Sequence, residues 1–251
     1  MKISIITVTY NSAATLERTI KSVLSQTYKD IEYWIIDGAS KDDTVAIIKS
    51  YSPKFNGRLH WISEVDKGIY DAMNKGIRHS TGDVIGLLNS DDWFTSNTVI
   101  ERMVEAFTKD IDAVYGDINT YHVAPSGEGV HYHISGKLFR SFLVHFGVAP
   151  AHPSFYVRKS IYEKYGLYDP HYKIAADFDL MARLCWKYRI RTKYVPIDFV
   201  TMQEGGASTK DNQAHKEGTK EILDACKELG IKTSASMLKI KEVLLMLAHR
   251  L

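Results

Sequence analysis

The residues best placed to do chemistry are Asn89-Ser90-Asp91-Asp92, where an apolar run ends in two adjacent carboxylates. Neighbouring carboxylates repel, and each is costly to ionise unless it is hydrated or faces a cation. A hard divalent ion removes that cost, and Mg²⁺ is commonly held by one or two carboxylates together with substrate phosphates. The competing reading is an N-cap, since aspartate before a helix satisfies its first amides and offsets its dipole. Asp37, followed by Gly38-Ala39-Ser40-Lys41-Asp42-Asp43-Thr44, can accept a hydrogen bond from a base N–H or a ribose hydroxyl. It can equally hold a turn, the role assigned to Asp42 and Asp43. Asp66 and Lys67 precede a helical pattern, with Lys67 either a phosphate counter-charge or a solvated lysine. Asp177 and Asp179 lie two apart and therefore on different faces of a helix. Asp179 can pair with Arg183 at i+4, which leaves Asp177 as the freer carboxylate, suited to general-base work on an alcohol.

The elements that must position these groups alternate. Ile3 to Val8 is a β-branched run without alternation, as in a strand covered on both faces. Leu16, Ile20, Val23 and Leu24 recur at helical spacing. Strands follow at Ile31 to Ile36, Leu59 to Ile62 and Asp83 to Leu88, separated by helical patterns at Val45 to Ile48 and Ile69 to Ile77. This order implies a parallel sheet with helices on both faces. Ligands of such sheets bind beyond the carboxyl ends of the strands, which gathers Tyr10-Asn11, Asp37 to Ser40 and Asn89 to Asp92 at one edge. A helix with Val99, Met103 and Phe107 leads to a strand around Ala113 to Gly116. His122 to His133 reads as a hairpin or mobile loop, Ala176 to Tyr188 as a helix, and Gln203 to Thr209 as a flexible loop. The tail from Ser234 to Leu251 carries an apolar stripe.

The chain has 251 residues, 45% hydrophobic and 25% charged, within the range of a globular α/β protein. Its 32 basic and 30 acidic residues give a net charge of +2. That balance, with no basic stripe or recognition motif, argues against nucleic acid as a partner. Cys185 and Cys226 form no CxxC or Cys/His cluster, and suit a reducing compartment. The amino terminus lacks the longer apolar core of a signal peptide, and no stretch approaches the ~20 apolar residues of a membrane span. A cytoplasmic protein, soluble or peripheral on the inner face of the membrane, is expected.

Six segments together are similar to family 2 glycosyltransferases of the GT-A fold. They are Ser4 to Asn11, Leu24-Ser25-Gln26-Thr27-Tyr28, Asp37 to Ser40, Asp66 to Gly76, Asn89 to Asp92, and Ala176-Asp177-Phe178-Asp179-Leu180. The resemblance covers about the first 210 residues. It implies a Rossmann-like, mostly parallel sheet flanked by helices, a smaller acceptor-side region, and C-terminal helices. Residues 1–110 form the nucleotide-sugar half, 111–210 the acceptor half, and 211–251 a helical extension. Val8 and Tyr10 border the base, Asp37 binds a uracil or equivalent ring, and Asp66 lies near the nucleotide. Asp91 approaches the ribose, Asp92 ligates Mn²⁺ or Mg²⁺ on the diphosphate, and Asp177 is the base of inverting members. The glutamate that often precedes that aspartate is Ala176 here, so its acceptor contact is missing.

The activity so implied is metal-dependent transfer, with inversion, from a nucleotide sugar, UDP-linked, to a glycan or lipid-linked saccharide in cell-surface polysaccharide synthesis. His152 stands where such enzymes build the acceptor side, and His215 is a further candidate metal ligand; a structural histidine is the competing reading for both. The C-terminal stripe, with Lys239, Lys241 and Arg250, either packs on its own domain or a partner subunit, as in a homodimer, or lies on a membrane surface. A non-catalytic sugar-nucleotide-binding module would keep the donor edge without needing Asp177. A nucleotidyltransferase would want a basic, glycine-rich loop after the first strand, and Tyr10-Asn11-Ser12-Ala13-Ala14 is not one.

Overall fold

In the computed structural model, residues 1–123, 129–203 and 212–240 are described. β1 (Ile3–Thr9) is buried at all seven positions, as its unbroken apolar run predicts. β2 (Ile31–Asp37) and β4 (Val84–Leu87) flank it in parallel, with Ile3 opposite both Ile31 and Val84. β3 (Leu59–Ser63) adds outside β2, also in parallel. The order β3-β2-β1-β4 makes the chain leave β1 in opposite directions, so a crevice opens beyond the carboxyl ends of β1 and β4.

Side chains of β1 alternate between two cores. Ile3 and Ile5 pack with α1 (Leu16–Leu24) and α2 (Thr44–Tyr51) through Leu16, Ile20, Ile48 and Tyr51. Ile6 and Val8 pack on the opposite face against Tyr70, Met73 and Ile77 of α3 (Ile69–His79). Helices on both faces therefore fix where each strand end points.

Beyond β4 the pairing becomes mixed. After the two-residue β5 (Trp93–Phe94) and α4 (Val99–Ala106), the chain enters β6 (Ala113–Val123), which forms a hairpin with β7 (Gly129–Ile134). β8 (Tyr156–Arg158) lies antiparallel between β4 and β6 and joins the two halves into one nine-stranded sheet. It leads into α5 (Lys159–Tyr165) and then α6 (Ala176–Ala182). β9 (Thr192–Gln203) runs parallel to β6 and antiparallel to β5. α7 (Asn212–Glu228) packs Ala225 and Cys226 into the same core as Phe178 and Leu180 of α6.

Three features depart from the sequence reading. β9 is a full strand of 12 residues, hidden in the sequence because Pro196 and two register shifts interrupt its pattern. The run of adjacent parallel strands is interrupted after β4, where β8 pairs antiparallel, as do β7 and β5, while β6 and β9 are parallel again. The helix expected over Ala176 to Tyr188 changes at Arg183 into a π-turn, Arg183–Lys187, and ends at Arg189 with φ 50°. His122 to His133 is indeed a hairpin, with residues 124–128 at its tip outside the described residues. Most of the predicted 203–209 loop and the tail beyond 240 also lie outside them; residues 235–240 are helical. Among the described residues no helix is long and apolar enough to cross a membrane.

The junction of the two halves depends on one small residue. A Cβ on Gly86 of β4 would lie 2.0 Å from Cε1 of Tyr156 in β8. Tyr156 is fully buried and cannot swing into solvent. Gly86→Ala should therefore destabilise the fold by about 1–3 kcal/mol through overpacking. Urea unfolding measures this, and an unchanged midpoint would contradict the tight β4–β8 contact.

Candidate active site

The turns that follow β1 and β2 are tied to one another. Asn11, at φ 50°, accepts a bond from the Lys41 amide at 2.9 Å, and its own amide donates to Ser40 Oγ at 2.7 Å. The amides of Ser12 and Ala13 donate to Thr44 Oγ1 and Asp42 Oδ2 at 2.8 and 3.0 Å. Asp42 also accepts from the Thr44 amide at 3.0 Å, the structural role expected of it. Asp37 is fully buried beneath this lattice. Its Oδ2 accepts from the Ser40 amide and Ser63 Oγ at 3.0 and 2.6 Å, and its Oδ1 accepts from Ser40 Oγ.

Above the turns lies a cavity of about 640 Å³, lined among others by Val8, Tyr10, Lys41, Asp66, Ile69 and Ser90. Of the residues singled out from the sequence, Val8, Tyr10 and Asp66 face it directly. Asp37 lies under its floor, and Asp91 continues from its wall at Ser90. Lys67 is exposed beside the lining residue Gly68, and its amide donates to Asp71 Oδ2 at 3.0 Å. Asp66 is pressed in by its neighbours. A Cβ on Gly38 would lie 2.8 Å from Asp66 Oδ2, so only glycine leaves room for the carboxylate. Burial pushes the Asp66 carboxyl up, and its Oδ1 is buried without a hydrogen-bond partner among the described residues. An orphan acceptor of this kind is costly until a donor reaches it.

The acidic pair occupies the turn between β4 and β5. Asp92 is 1% exposed. Its Oδ2 accepts from Asn89 Nδ2 at 2.9 Å and its Oδ1 from the Gln203 amide at 3.1 Å, leaving each oxygen a lone pair. Thr19 Oγ1 of α1 donates to its carbonyl at 2.7 Å. No ion pair reaches Asp91 or Asp92 among the described residues. Burial, followed by the charge of Asp91, pushes the Asp92 carboxyl up to about 7. Asp91 is less buried and is also pushed up by burial. Such a pair fits a hard divalent cation, which would meet free lone pairs and offset a charge the protein leaves uncompensated.

Arg18 is the nearest fixed cation, and the sequence reading missed it. Its guanidinium stacks 3.5 Å from the Trp93 ring, and Nη2 donates to the Asp91 carbonyl and to Gln203 Oε1 at 2.9 and 3.1 Å. Its Nε is buried with no partner among the described residues. In the sequence it stands two residues from Leu16 and from Ile20, off the apolar stripe of α1, and that position marks neither burial nor partner. Lys41, Ser12 and Gln203 were also missed; Lys41 follows the Asp37 turn directly, a signal that was available.

Asp177 sits in the first turn of α6, on the other side of the start of α3. Ile69 faces the cavity while Tyr70 turns towards α6, where its hydroxyl donates to the Ile174 carbonyl at 2.5 Å. Glu221 of α7 accepts three amide bonds, from Lys173, Ile174 and Ala175, at 2.8 to 2.9 Å. Two distant helices thus set the backbone that precedes Asp177. The expected Asp179–Arg183 pair is present at 3.2 Å. Asp177 Oδ1 accepts from the Phe178 amide at 2.7 Å, and its charge acts on Tyr70, Tyr168 and His152. His152 Nε2 lies 2.9 Å from Tyr168 Oη, and burial lowers its pKa, so it stays neutral at pH 7.

The sequence pattern that defines "Glycosyl transferase family 2" matches residues 4–171, so the chain belongs to glycosyl transferase family 2. It is 38% identical over 187 residues to an uncharacterized glycosyltransferase of Mycobacterium tuberculosis, covering 72% of this chain and 68% of that one. Its fold is that of GT-A glycosyltransferases. It is similar to S. aureus TarS 1-349 in complex with UDP-GlcNAc at TM-score 0.67 and 16% identity, covering 95% of this chain and 70% of that one. A longer S. aureus TarS chain is covered over 39% of its length. The mannosyltransferase PcManGT of Pyrobaculum calidifontis, in complex with GDP-Man and Mn²⁺, matches at TM-score 0.67 and 16% identity, over 99% of this chain and 70% of that one.

The raised Asp92 pKa has a definite sign. Between the ordinary aspartate value and about 7, the folded chain binds a proton that the unfolded chain has lost. Stability is therefore lost as pH rises from about 4 through 7, on the order of 2–4 kcal/mol from this group. Urea unfolding of metal-free protein across pH 4 to 8 should show this loss in wild type, with the corresponding slope absent from Asp92→Asn. Parallel profiles would refute the assignment.

Proposed function

We propose that this chain is an inverting glycosyltransferase that moves a sugar from a UDP-linked donor to a hydroxyl of a glycan or lipid-linked saccharide, in the assembly of a cell-surface polysaccharide. The observation that carries the reading is the spatial division of acidic groups. Asp91 and Asp92 stand beside a nucleotide-sized cavity, while Asp177 stands apart from them beyond the start of α3. Residues 1–110 serve as the donor half, 111–210 as the acceptor half and 211–251 as a helical extension. The chain works in the cytoplasm, free or on the inner face of the membrane.

The donor nucleoside lies in the cavity between Tyr10, Val8 and Ile69. The Asp66 carboxylate, which lines this cavity, accepts a hydrogen bond from it. Asp37 contributes to base binding through the Gly38–Ser40 turn that it holds at the cavity floor. Asp91 reaches the ribose; Lys41 and Lys67 bring positive charge to the cavity mouth. Asp92, with Asp91, would hold Mn²⁺ or Mg²⁺, which supplies charge neutralisation on the diphosphate. Support for a metal comes from the uncompensated charge of Asp92 and, by likeness of fold alone, from the Mn²⁺ in the complex of the mannosyltransferase PcManGT.

Asp177 takes the proton from the acceptor hydroxyl as its oxygen attacks the anomeric carbon, and the nucleoside diphosphate leaves from the opposite face. Glu221 and Tyr70 fix the approach of Asp177 by holding residues 173–175. His152 borders the acceptor side through its contact with Tyr168.

A panel of nucleotide sugars with Mn²⁺, scored for nucleoside diphosphate release with and without saccharide acceptors, tests this reading. Release should depend on one donor class. Asp177→Asn should lower it about 100-fold or more while changing donor affinity less than about threefold. Normal transfer by Asp177→Asn would show the base to be wrongly assigned. Donor binding with no release under any acceptor would favour a non-catalytic binding module.

A further inference from the structure

Across the β6–β9 pairing, two carboxylates face each other. Gly116 pairs with Val195, but Asp117 pairs with Asp198 and Ile118 with Val200, so β9 bulges on both sides of the acidic pair. Like charges directly opposite in a sheet destabilise it, and bulges commonly re-aim side chains towards a function. β7 brings a third group to the same place. His133 Nδ1 lies 2.8 Å from Asp198 Oδ1, and one ligating atom from each of Asp117, His133 and Asp198 falls within 4.8 Å of the other two.

Asp117 is 6% exposed and meets no lysine or arginine among the described residues. Neutral donors orient it instead. Oδ1 accepts from Ser135 Oγ, the Gly136 amide and Tyr194 Oη at 3.0, 2.7 and 2.9 Å, whereas Oδ2 accepts only from Tyr194 Oη, at 2.8 Å. Oδ2 therefore keeps a lone pair on a carboxylate whose direction is set by outer hydrogen bonds, as is usual for metal-ligating carboxylates. His133 and Asp198 are only partly covered, which leaves a way in for an ion.

We propose that Asp117, His133 and Asp198 bind a divalent transition-metal ion of the Mn²⁺ or Zn²⁺ type, at a site separate from Asp91 and Asp92. One imidazole and two carboxylates suit such an ion better than Mg²⁺ or Ca²⁺, which prefer oxygen alone. The separation follows from the strand. Asp198 precedes Gln203 by five residues, about 16 Å of β-strand, and it is the Gln203 amide that touches Asp92. The ion would fasten β7, whose only strand partner among the described residues is β6, to the bulged centre of the sheet. The proposal stands independently of the glycosyl-transfer reading.

The test is Mn²⁺ titration of the full chain, stripped of metal, followed by electron paramagnetic resonance. In an Asp91→Asn/Asp92→Asn background, one equivalent of Mn²⁺ should remain bound and carry nitrogen modulation from an imidazole. His133→Gln or Asp198→Asn should weaken that equivalent at least tenfold and His133→Gln should abolish the modulation, whereas His215→Gln should change neither. If the double-aspartate background does not fold, the same nitrogen signal must appear in wild type and vanish with His133→Gln. No bound ion in the double-aspartate protein, an ion without nitrogen modulation, or a signal that survives His133→Gln would overturn the proposal. Any of these would leave a plain His133–Asp198 pair at the bulge.

Discussion

The structure depends on a carboxylate placed where charge is least tolerated. Asp92 is withdrawn from water, held by an asparagine side chain and a backbone amide, and set next to a second aspartate. Those bonds connect elements that are otherwise far apart in sequence. Asn89 belongs to the end of β4, Gln203 to the end of β9, and Thr19 of α1 holds the Asp92 carbonyl. The carboxylate is thus the common point of the central sheet, the first helix and the last strand. Burial costs free energy that hydrogen bonds from neutral donors offset only in part, which is why its proton affinity rises. A folded chain that keeps such a group has stored a preference for positive charge at that position.

The cavity and the start of α6 are fixed by separate sets of bonds. The cavity is built from the turns after β1 and β2, whose side chains satisfy each other's amides and leave little freedom. α3 forms the wall between that cavity and α6, with consecutive residues Ile69 and Tyr70 facing opposite sides. The backbone before Asp177 is then clamped from α7 by Glu221. A helix beyond residue 210 is in this way part of the geometry around Asp177.

The β1–β4 half was legible in the sequence because its strands read as apolar runs, each ending in a polar turn. Strand order alone brought Tyr10, Asp37 and Asp91 to one edge. The half beyond β4 was not, because β9 is bulged, contains Pro196 and alternates only in part. Missing β9 meant missing Gln203, and with it the reason Asp92 is buried. Arg18 was illegible for a different cause: an arginine on an amphipathic helix looks solvated until its stacking on Trp93 is seen. For Asp37 the residues left a base contact and a turn equally open, and the structure shows the turn, with three donor bonds from Ser40 and Ser63 around its carboxylate. Turn chemistry between residues 26 apart has no local sequence signal.

The central claim is that Asp92 links a divalent ion to the diphosphate of the donor. Its most direct test is calorimetric titration of UDP into metal-free protein with and without Mn²⁺, for wild type and Asp92→Asn at pH 8. The account predicts that Mn²⁺ tightens UDP binding at least tenfold in wild type and leaves Asp92→Asn unchanged. Equal tightening in both proteins, or none in wild type, would contradict it.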